Sequence, residues 1–508
     1  MEGEEHVGVD SLLRMSAVYR EAMMRQLREL QAGEQTEFVV AETDTFQYMH
    51  AVWHLLEIIY LTTNLPGLST SIVPHFMEWV NFNFPAPTAA DGRRIVGDGS
   101  LVLANEELWP YIRKLAMRGH VSVLANMLER LVSAPELSAA AARWARDIAR
   151  IARSMPLGSQ EETAGSFNAR WRRWNEELQN AATAIGSLLD PPASDVDVEL
   201  EALYAVVDIL RGNVDAIAAE GQSWLDVLSA ILLYSEPTSQ ADRLPSLAIL
   251  VAEQFPRTEF SVVDRSLFAL LTHDLAEFLV FSNQIDPWLS AHISDVMDHI
   301  SILDQCRAAF AAVDPREHYL VALGELYMAH EGLWRVGLDY FGLCGTPAAR
   351  CVMAEYAVRV PLDSSVTVQQ VLGLSQKYGL LRAEDRIHRQ VARQLWQRGR
   401  VGAAIVHFAR VGDNASIAVI CDQLWAQYLA SGVLSYGPVI DGVMAAGCLL
   451  RHDRVQFLTQ YRDFHESYRA GAFVEAGRIL LAILVADIAP PQAVGDLLVD
   501  AIPLLEGE

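Results

Sequence analysis

Three polar residues of one predicted helix have the spacing of a metal site. His292, Asp295 and His299 lie at positions i, i+3 and i+7, which brings them to one helical face, with Asp298 alongside. A catalytic zinc site would also need a third strong ligand, supporting second-shell residues and an open coordination position. The sequence offers no HExxH motif or other partner motif to supply them. An ordinary polar helix face is the favoured interpretation, and a helical hydrolase that uses the His292 cluster stays open as an enzymatic hypothesis.

A second candidate is the run Arg170 to Trp174, in which arginines could hold phosphates while aromatic rings stack on bases. The spacing argues against this use. Trp171 and Trp174 share one helical stripe with Phe167 and Leu178, whereas the arginines occupy the other faces and are followed by two glutamates. This pattern is typical of an amphipathic helix that packs against a core.

Signatures of nucleotide binding and of nucleophilic catalysis are missing from the sequence. Gly92 to Gly99 contains no GxxxxGK[ST] motif and follows no predicted strand, and no GxSxG elbow is present. The cysteines form no C-x-x-C pair, so they are interpreted as buried thiols in a reducing compartment. They are Cys306, Cys344, Cys351, Cys421 and Cys448. The sequence therefore predicts no catalytic, cofactor-binding or metal-binding residue, and a protein that is not an enzyme.

The composition favours a folded protein with little affinity for nucleic acid. Hydrophobic residues make up 51% of the 508 residues and charged residues 20%, which suffices for a large core. The 64 acidic residues outnumber the 39 Lys and Arg, and a net charge of -25 repels phosphate backbones. The N-terminal segment Met1 to Glu5 is acidic, and no continuous apolar stretch follows it. The longest apolar runs, such as residues 479–486, are far shorter than the ~20 residues that cross a bilayer. We expect a soluble, intracellular protein without a secretory signal or membrane insertion.

The elements that must position these residues are helices. Apolar residues recur at three- and four-residue spacing almost everywhere, and alternating strand-like runs are nearly absent. The stripe formed by Phe46, Met49, Trp53, Leu56 and Tyr60 is one example, and it indicates a helix with a buried face. The sequence predicts an all-α fold.

A local pattern repeats at irregular intervals: an apolar helix end, an arginine, a glycine and a second apolar helix. It occurs at Arg118-Gly119, Arg211-Gly212 and Arg398-Gly399. Glycine can adopt the left-handed conformation that satisfies the last helical carbonyls, and arginine favours the negative end of the helix dipole. Each site is predicted to be the corner of a helical hairpin. Hairpins that stack on their neighbours form a solenoid, and the spacing is too irregular for a tetratricopeptide or HEAT array.

Several short segments, in order along nearly the whole chain, resemble the Nup85 nucleoporins, which are subunits of the Y-shaped coat complex of the nuclear pore. Each segment alone is weak, but their collinear order is specific. The segments are 55–59 (LLEII), 76–80 (FMEWV), 171–177 (WRRWNEE), 232–238 (LLYSEPT), 291–299 (AHISDVMDH), 333–341 (LWRVGLDYF), 461–465 (YRDFH), 488–490 (IAP) and 501–506 (AIPLLE).

The resemblance implies the ancestral coatomer element fold, an irregular α-solenoid in which the chain lays down a trunk, turns through a crown and returns along the trunk to a tail. On this interpretation residues 1–90 form the first trunk helices and residues 91–275 the crown. Residues 276–390 form the returning trunk helices, and residues 391–508 a tail module that is incomplete. We expect these parts to form one continuous helical body.

The resemblance also implies the function of a structural scaffold at the nuclear pore in the nuclear envelope, supporting pore assembly and, indirectly, nucleocytoplasmic transport and mRNA export. The implied partners are other Y-complex nucleoporins, a Seh1-type β-propeller, and a large hub nucleoporin that binds the tail. Direct binding to nucleic acid is not implied, and no interface residue is identified. The alternative is another coatomer-like scaffold subunit, of a vesicle coat or of the nutrient-signalling complex that shares the Seh1 propeller.

Two departures from the family pattern modify these expectations. Family members carry an N-terminal β-blade that completes the Seh1 propeller, whereas residues Met1 to Asp10 are too few for a blade and a helix is expected from about Ser11 to Leu13. Weakened Seh1 binding is therefore expected. The family also continues beyond the position of Glu508 through further tail helices, so binding of the hub nucleoporin is expected to be reduced.

Overall fold

The computed structural model describes residues 9–34, 36–62, 71–96, 103, 105–134, 136–156, 164–189, 197–310, 313–433, 436–445 and 452–506. Within these residues the regular elements are 26 α-helices, a π-helical turn and short 3₁₀ turns, with no strand. The prediction of an all-α fold is confirmed. The chain divides into two compact units, Met1–Tyr319 and Leu320–Glu508.

The helices of the first unit are α1 (Val9–Ala32), α2 (Glu37–Leu56), α3 (Val73–Asn83), α4 (Ala89–Val96), α5 (Leu108–Met117), α6 (Val121–Leu131), α7 (Ala139–Arg153), α8 (Ala164–Leu189), α9 (Val198–Leu210), α10 (Val214–Glu220), α11 (Trp224–Tyr234), α12 (Leu244–Ala252), α13 (Val262–Leu271), α14 (Leu275–Ile285) and α15 (Pro287–His299). The π-helical turn Glu57–Thr62 continues α2. Helix α1 begins slightly before the predicted start at Ser11 to Leu13.

The boundary between the units falls within α16 (Pro315–Met328). The helices of the second unit are α17 (Trp334–Cys344), α18 (Pro347–Arg359), α19 (Ser365–Lys377), α20 (Leu381–Gln397), α21 (Val401–Arg410), α22 (Asn414–Ser431), α23 (Gly437–Ala445), α24 (Asp453–Arg469), α25 (Phe473–Ala486) and α26 (Val494–Glu506).

The starts of several helices are specified locally by side chains that accept hydrogen bonds from the first free amides. The Ser138 and Asp197 side chains each accept a bond from the amide three residues later, at the start of α7 and α9. Ser261 and Asp264 form a reciprocal capping box at the start of α13. Because each cap satisfies a donor that the helix itself leaves unpaired, these short-range signals fix where the helices begin.

The three predicted corners are confirmed. Gly119, Gly212 and Gly399 have positive φ angles of 69°, 79° and 76°. At the first of these corners the His120 amide donates to the Leu115 carbonyl at 2.9 Å, which is the long bond of a Schellman motif. The same bond closes corners at His273 and Ser301, whose φ angles are 59° and 60°. Sequence reasoning missed both because neither position carries a glycine.

In the first unit, helices distant in sequence pack together. Helix α2 contacts α13, α14 and α15, and α3 contacts α11. The fully buried rings of Trp53, Phe76 and Trp79 fill the space along α2 and α3, and Trp79 Nε1 donates to the Ala51 carbonyl at 2.8 Å. This unit is therefore held by long-range pairing in addition to hairpin packing.

The second unit is built mainly from sequential hairpins, among them α17–α18, α20–α21 and α24–α25. One core lies among α17 to α20, around Phe341 and Ile387, and another among α21 to α26, around Phe408 and Tyr461. The predicted boundaries after residues 90, 275 and 390, and the single continuous body, stay predictions. In the described part of the chain, no helix combines the length and apolarity that spanning a membrane requires.

Candidate interaction surfaces

His292 of the candidate metal cluster is a packing residue in the structure. Its ring stacks on Trp288 with centroids 4.1 Å apart, and the ring of Tyr19 meets it edge-on at 5.4 Å. His292 Nδ1 lies 2.9 Å from the Trp288 carbonyl oxygen. Burial lowers the pKa of His292, which favours the neutral imidazole. The residue therefore joins α15 to α1.

The acidic members of the cluster pair with arginines. Arg316 Nε donates to Asp295 Oδ1 at 2.7 Å, and Arg307 Nη2 donates to Asp298 Oδ1 at 2.9 Å. His299 Nδ1 lies 2.7 Å from the Asp295 carbonyl oxygen. Since each carboxylate has a cationic partner, this face tethers the end of α15 to the segment that follows it. Within the described residues, no group of three or more His, Cys, Asp or Glu has the arrangement of a metal site.

The tryptophan-rich run lies on α8 as the amphipathic pattern predicts. Trp171 and Trp174 are buried, and Trp174 Nε1 donates to the Ile151 carbonyl at 2.8 Å. Arg172 and Arg173 are exposed. The two rings pack in the contact between α8 and α7, so they do not form an exposed surface on which bases could stack.

The prediction of buried cysteines is wrong for one residue. Cys306, Cys344 and Cys421 are buried, whereas Cys351 is exposed. On α18 the buried face carries Ala349, Met353 and Ala357, and the helical period places Cys351 on the opposite side. Cys448 lies outside the described residues.

A buried carboxylate of the first unit, that of Glu57, was not predicted from the sequence. Glu57 accepts a bond from Ser16 Oγ at 2.6 Å and one from Arg20 Nη2 at 3.0 Å. Trp53 Nε1 in turn donates to Ser16 Oγ at 2.9 Å. The signal in the sequence was a lone glutamate between apolar residues in the segment 55–59. This network, together with the ion pair between Arg20 Nε and Glu57 Oε2 at 2.8 Å, joins α1 to the end of α2.

A cavity of about 720 Å³ lies between α8 and the loop that follows α11. The segment 234–240 and the side chain of Trp171 line it, and Arg211 and Arg243 lie at its edge. Arg211 pairs with Asp208 at 2.7 Å and Arg243 with Glu236 at 2.7 Å, so both cations are neutralised internally. Arg243 also lowers the pKa of Glu236. Ser239 Oγ also donates to Glu236 Oε2 at 2.8 Å, so the arrangement holds the loop in place.

The last two helices expose an apolar surface, which we call the α25–α26 face. On α25 the exposed fractions of Val474, Leu481 and Val485 are 74%, 62% and 77%, and on α26 that of Leu505 is 84%. These positions follow helical spacing, so each helix carries an exposed apolar stripe, with Arg478, whose side chain is 75% exposed, beside the stripe of α25. The members of the face are Phe473, Val474, Leu481, Val485, Leu498, Val499, Ile502 and Leu505.

The same two helices are also apolar on their inner side, where Ala476, Leu480 and Ile483 of α25 and Leu497 of α26 are buried. A helix that is apolar on both sides is expected between two layers of protein. The α25–α26 face is therefore the strongest candidate interaction surface in the described chain.

Comparison with known proteins agrees with this architecture. The family profile described as "Nup85 Nucleoporin" matches residues 4–508. The chain is 24% identical to nuclear pore complex protein Nup75 of Drosophila melanogaster, over 98% of this chain and 74% of that protein. It is 25% identical to nuclear pore complex protein Nup85 of Mus musculus, over 97% and 74% respectively. It is 26% identical to the Nup85 protein of Xenopus tropicalis, over 99% and 77%.

Proposed function

The chain belongs to the Nup85 nucleoporin family, and from this premise we propose that it is a structural subunit of the Y-shaped outer-ring coat of the nuclear pore. As a member of this family it is a scaffold nucleoporin of the nuclear pore complex, located at the pore in the nuclear envelope. Its contribution to nucleocytoplasmic transport and mRNA export is indirect, through the pore that it helps to build.

The observation that supports this proposal most strongly is the α25–α26 face. Burial of apolar area stabilises association by roughly 25 cal/mol per Å² before the costs of binding are subtracted. Large exposed side chains such as Leu505 and Val485 gain most from such burial. We propose that the large hub nucleoporin of the coat covers this face, so that the tail carries the connection between this subunit and its neighbours.

The proposed internal arrangement is the trunk, crown, returning trunk and tail of the coatomer element. Contacts between α2 and the much later helices α13, α14 and α15 support a chain that folds back on itself. Tyr19 of α1 adds to this pairing, since its ring meets both Trp288 and His292. A Seh1-type propeller is proposed to bind the first trunk helices, where Met15, Val18 and Phe38 are exposed apolar residues.

The proposed role is non-enzymatic. It is supported by the structural use of the residues that a metal hydrolase would need, because Asp295 and Asp298 pair with arginines and His292 stacks on Trp288. Metal analysis of the purified protein tests this part. Stoichiometric zinc or iron, lost together with a hydrolytic activity in His292→Ala, would overturn it.

Affinity purification of the tagged chain from its source cell tests the scaffold role. Recovery of Y-complex nucleoporins and a signal at the nuclear rim are the expected results. Recovery of vesicle-coat subunits, or of a nutrient-signalling complex without nucleoporins, would replace the proposal with the corresponding coatomer-like alternative.

A pair of matched variants tests the role of the α25–α26 face. Leu481→Glu with Val485→Glu adds two charges to this face, and Leu250→Glu with Val366→Glu adds them to other exposed apolar positions. The first variant should lose the hub nucleoporin and the second should keep it. Circular dichroism should show equal helix content in both. If the hub nucleoporin stays bound to the first variant, the α25–α26 face does not form the connection.

A further inference from the structure

Helix α20 carries a stripe of arginines on the side that faces away from the core. Arg382, Arg386, Arg389 and Arg393 lie at positions i, i+4, i+7 and i+11, which places them within an arc of about 60° along about 16 Å of helix. The buried residues Ile387 and Val391 lie on the opposite side. We call these four residues the α20 arginine stripe.

The stripe is open to solvent. Arg382, Arg386 and Arg393 are exposed and Arg389 is half-buried. In the described chain none of the four is in an ion pair or a side-chain hydrogen bond, whereas arginines of other helices, such as Arg118, Arg316 and Arg462, pair with aspartates. The positive charge of the stripe is therefore available to an external partner.

The surroundings of the stripe differ in charge from the rest of the molecule. Residues 365–410 contain eight basic side chains and two acidic ones, Glu384 and Asp385, in a chain whose net charge is -25. Glu384 is engaged by Gln376, whose amide donates to it at 2.8 Å. The helices next to α20 in sequence, α19 and α21, contribute no carboxylate. Asp385 is exposed beside Arg386 on α20, and Glu355 of α18, which packs against α20, pairs with Arg359 at 3.6 Å. The positive charge of the stripe is therefore only partly offset within the chain.

From this geometry we infer that the α20 arginine stripe binds an acidic helical segment of another protein in the coat. A partner helix with carboxylates at the same i, i+4, i+7 and i+11 spacing can match the four guanidinium groups one to one, each able to form two parallel bonds. The inference rests on the proposed scaffold role in taking this occupant to be a neighbouring protein of the assembly.

Two other polyanions fit the observations less well. Single-stranded nucleic acid is usually held by aromatic rings as well as by basic groups, and the exposed residues of α20 include no aromatic residue. An amphipathic helix binds a membrane through its apolar face, but the apolar face of α20 is buried in the core. Both polyanions also extend beyond the stripe, where the net negative charge of the protein would repel them.

A charge-reversal series tests the inference. The stripe variant carries Arg382→Glu, Arg386→Glu, Arg389→Glu and Arg393→Glu in the full chain. A matched control carries Arg172→Glu, Arg173→Glu, Arg335→Glu and Arg350→Glu, which reverses four exposed arginines elsewhere. Circular dichroism and thermal unfolding check that both variants remain folded. A second stripe variant with glutamine at the four positions separates loss of charge from repulsion.

The probes are a fluorescent alanine-based helical peptide with glutamates at the matching spacing and an isomeric peptide with the glutamates spread around the helix. The matched peptide should bind the wild-type chain and the control variant at least roughly tenfold more tightly than it binds the stripe variant. The isomer should bind the wild-type chain more weakly, and added salt should weaken all binding. Absence of binding, or equal binding to the stripe variant, would overturn the inference.

Two further probes decide between classes of partner. If a single-stranded RNA or phosphatidylserine vesicles bind the wild-type chain as tightly as the matched peptide, and lose binding to the stripe variant, the surface is a general polyanion site and the inference is wrong. In the source cell, the stripe variant should keep its nuclear-rim signal and lose one co-purifying nucleoporin. Reversal of acidic residues in that nucleoporin should restore the complex. Failure of the wild-type chain to reach the rim would count against the scaffold role instead, without affecting the peptide result.

Discussion

Two corners with the same sequence pattern, Arg118-Gly119 and Arg398-Gly399, have different surroundings. Both glycines are left-handed and both follow an arginine at the end of a helix. Arg118 is only 4% exposed and pairs with Asp226, with Arg118 Nε 2.8 Å from Asp226 Oδ1. Arg398 and Gly399 are exposed, and in the described chain Arg398 has no ion pair.

The first corner, between α5 and α6, is also contacted by α3 and α11. The Arg118 side chain reaches α11, the Tyr234 hydroxyl donates to the Ala116 carbonyl at 2.6 Å, and Asn81 of α3 donates to the Arg118 carbonyl at 3.0 Å. The second corner only reverses the chain between α20 and α21. The same local sequence signal can therefore form either a plain turn or a junction, depending on which helices lie against it.

The largest effect is expected for Arg118→Leu. The substitution leaves the buried Asp226 without its cationic partner, and breaking a buried pair in this way costs about 3–5 kcal/mol. Urea denaturation of the first unit, followed by hydrogen exchange of α5 and α11, measures the loss. The double variant Arg118→Leu with Asp226→Leu should recover much of it. If the single variant is as stable as the parent, the junction does not depend on the ion pair.

Gly119→Val should have the next largest effect. A β-branched residue is strained at φ 69°, and a Cβ at this position would lie 2.6 Å from Leu233 Cδ2. Left-handed strain of about 1–2 kcal/mol and crowding of about 1–3 kcal/mol together predict a loss of roughly 2–5 kcal/mol. The urea midpoint of the variant measures it. Stability equal to that of Gly399→Val would show that Leu233 moves aside without cost.

Gly399→Val isolates the backbone contribution. No heavy atom lies within 4 Å of a Cβ built at this glycine, so the substitution adds strain and no crowding. We expect a loss of about 1–2 kcal/mol, localised to the α20–α21 hairpin. Hydrogen exchange of the amides of α20 and α21 is the suitable measurement. A loss of stability larger than that of Gly119→Val would contradict the expected order of the two substitutions.

The stability of the two corners is expected to depend differently on pH. His120 follows the first corner, whereas Arg400 occupies the equivalent position at the second. Burial, and then the charge of Arg118, lower the pKa of His120. The folded state therefore favours the neutral imidazole. The stability contributed by this preference is complete above the unfolded pKa of about 6.5 and declines as the pH falls below it.

His120→Gln should consequently lose less stability than the parent between neutral and mildly acidic pH. Urea midpoints measured across this range give the two slopes, and the difference should be smaller than either glycine effect. Equal slopes in parent and variant would mean that His120 titrates in the folded protein as it does in the unfolded chain.

The smallest effect is expected for Arg398→Ala. An exposed arginine without an ion pair contributes little, so the change in unfolding free energy should stay within about 0.5 kcal/mol. Urea denaturation alongside Arg118→Leu gives the direct contrast. A loss near that of Arg118→Leu would show that arginine before a corner glycine stabilises by a local mechanism common to both sites.

The sequence alone determined the features that depend on neighbours within a few residues. Helical periodicity gave the all-α fold and the buried sides of Trp171 and Trp174, and the positions of glycine gave the corners at Gly119 and Gly399. These inferences succeed because helix geometry repeats over 3.6 residues and a left-handed corner is a property of one backbone position. The collinear segments gave the family for the same reason, as each is a contiguous string.

Only the tertiary structure decided which distant groups meet. It paired Arg118 with Asp226 and brought Ser16 to Glu57. Helical periodicity shows which residues share a face, but not which helix covers that face. Long-range pairing depends on how the helices stack, and a single stripe of residues cannot specify that stacking. For the same reason the α25–α26 face and the α20 arginine stripe became recognisable as open surfaces only once their neighbours were in place.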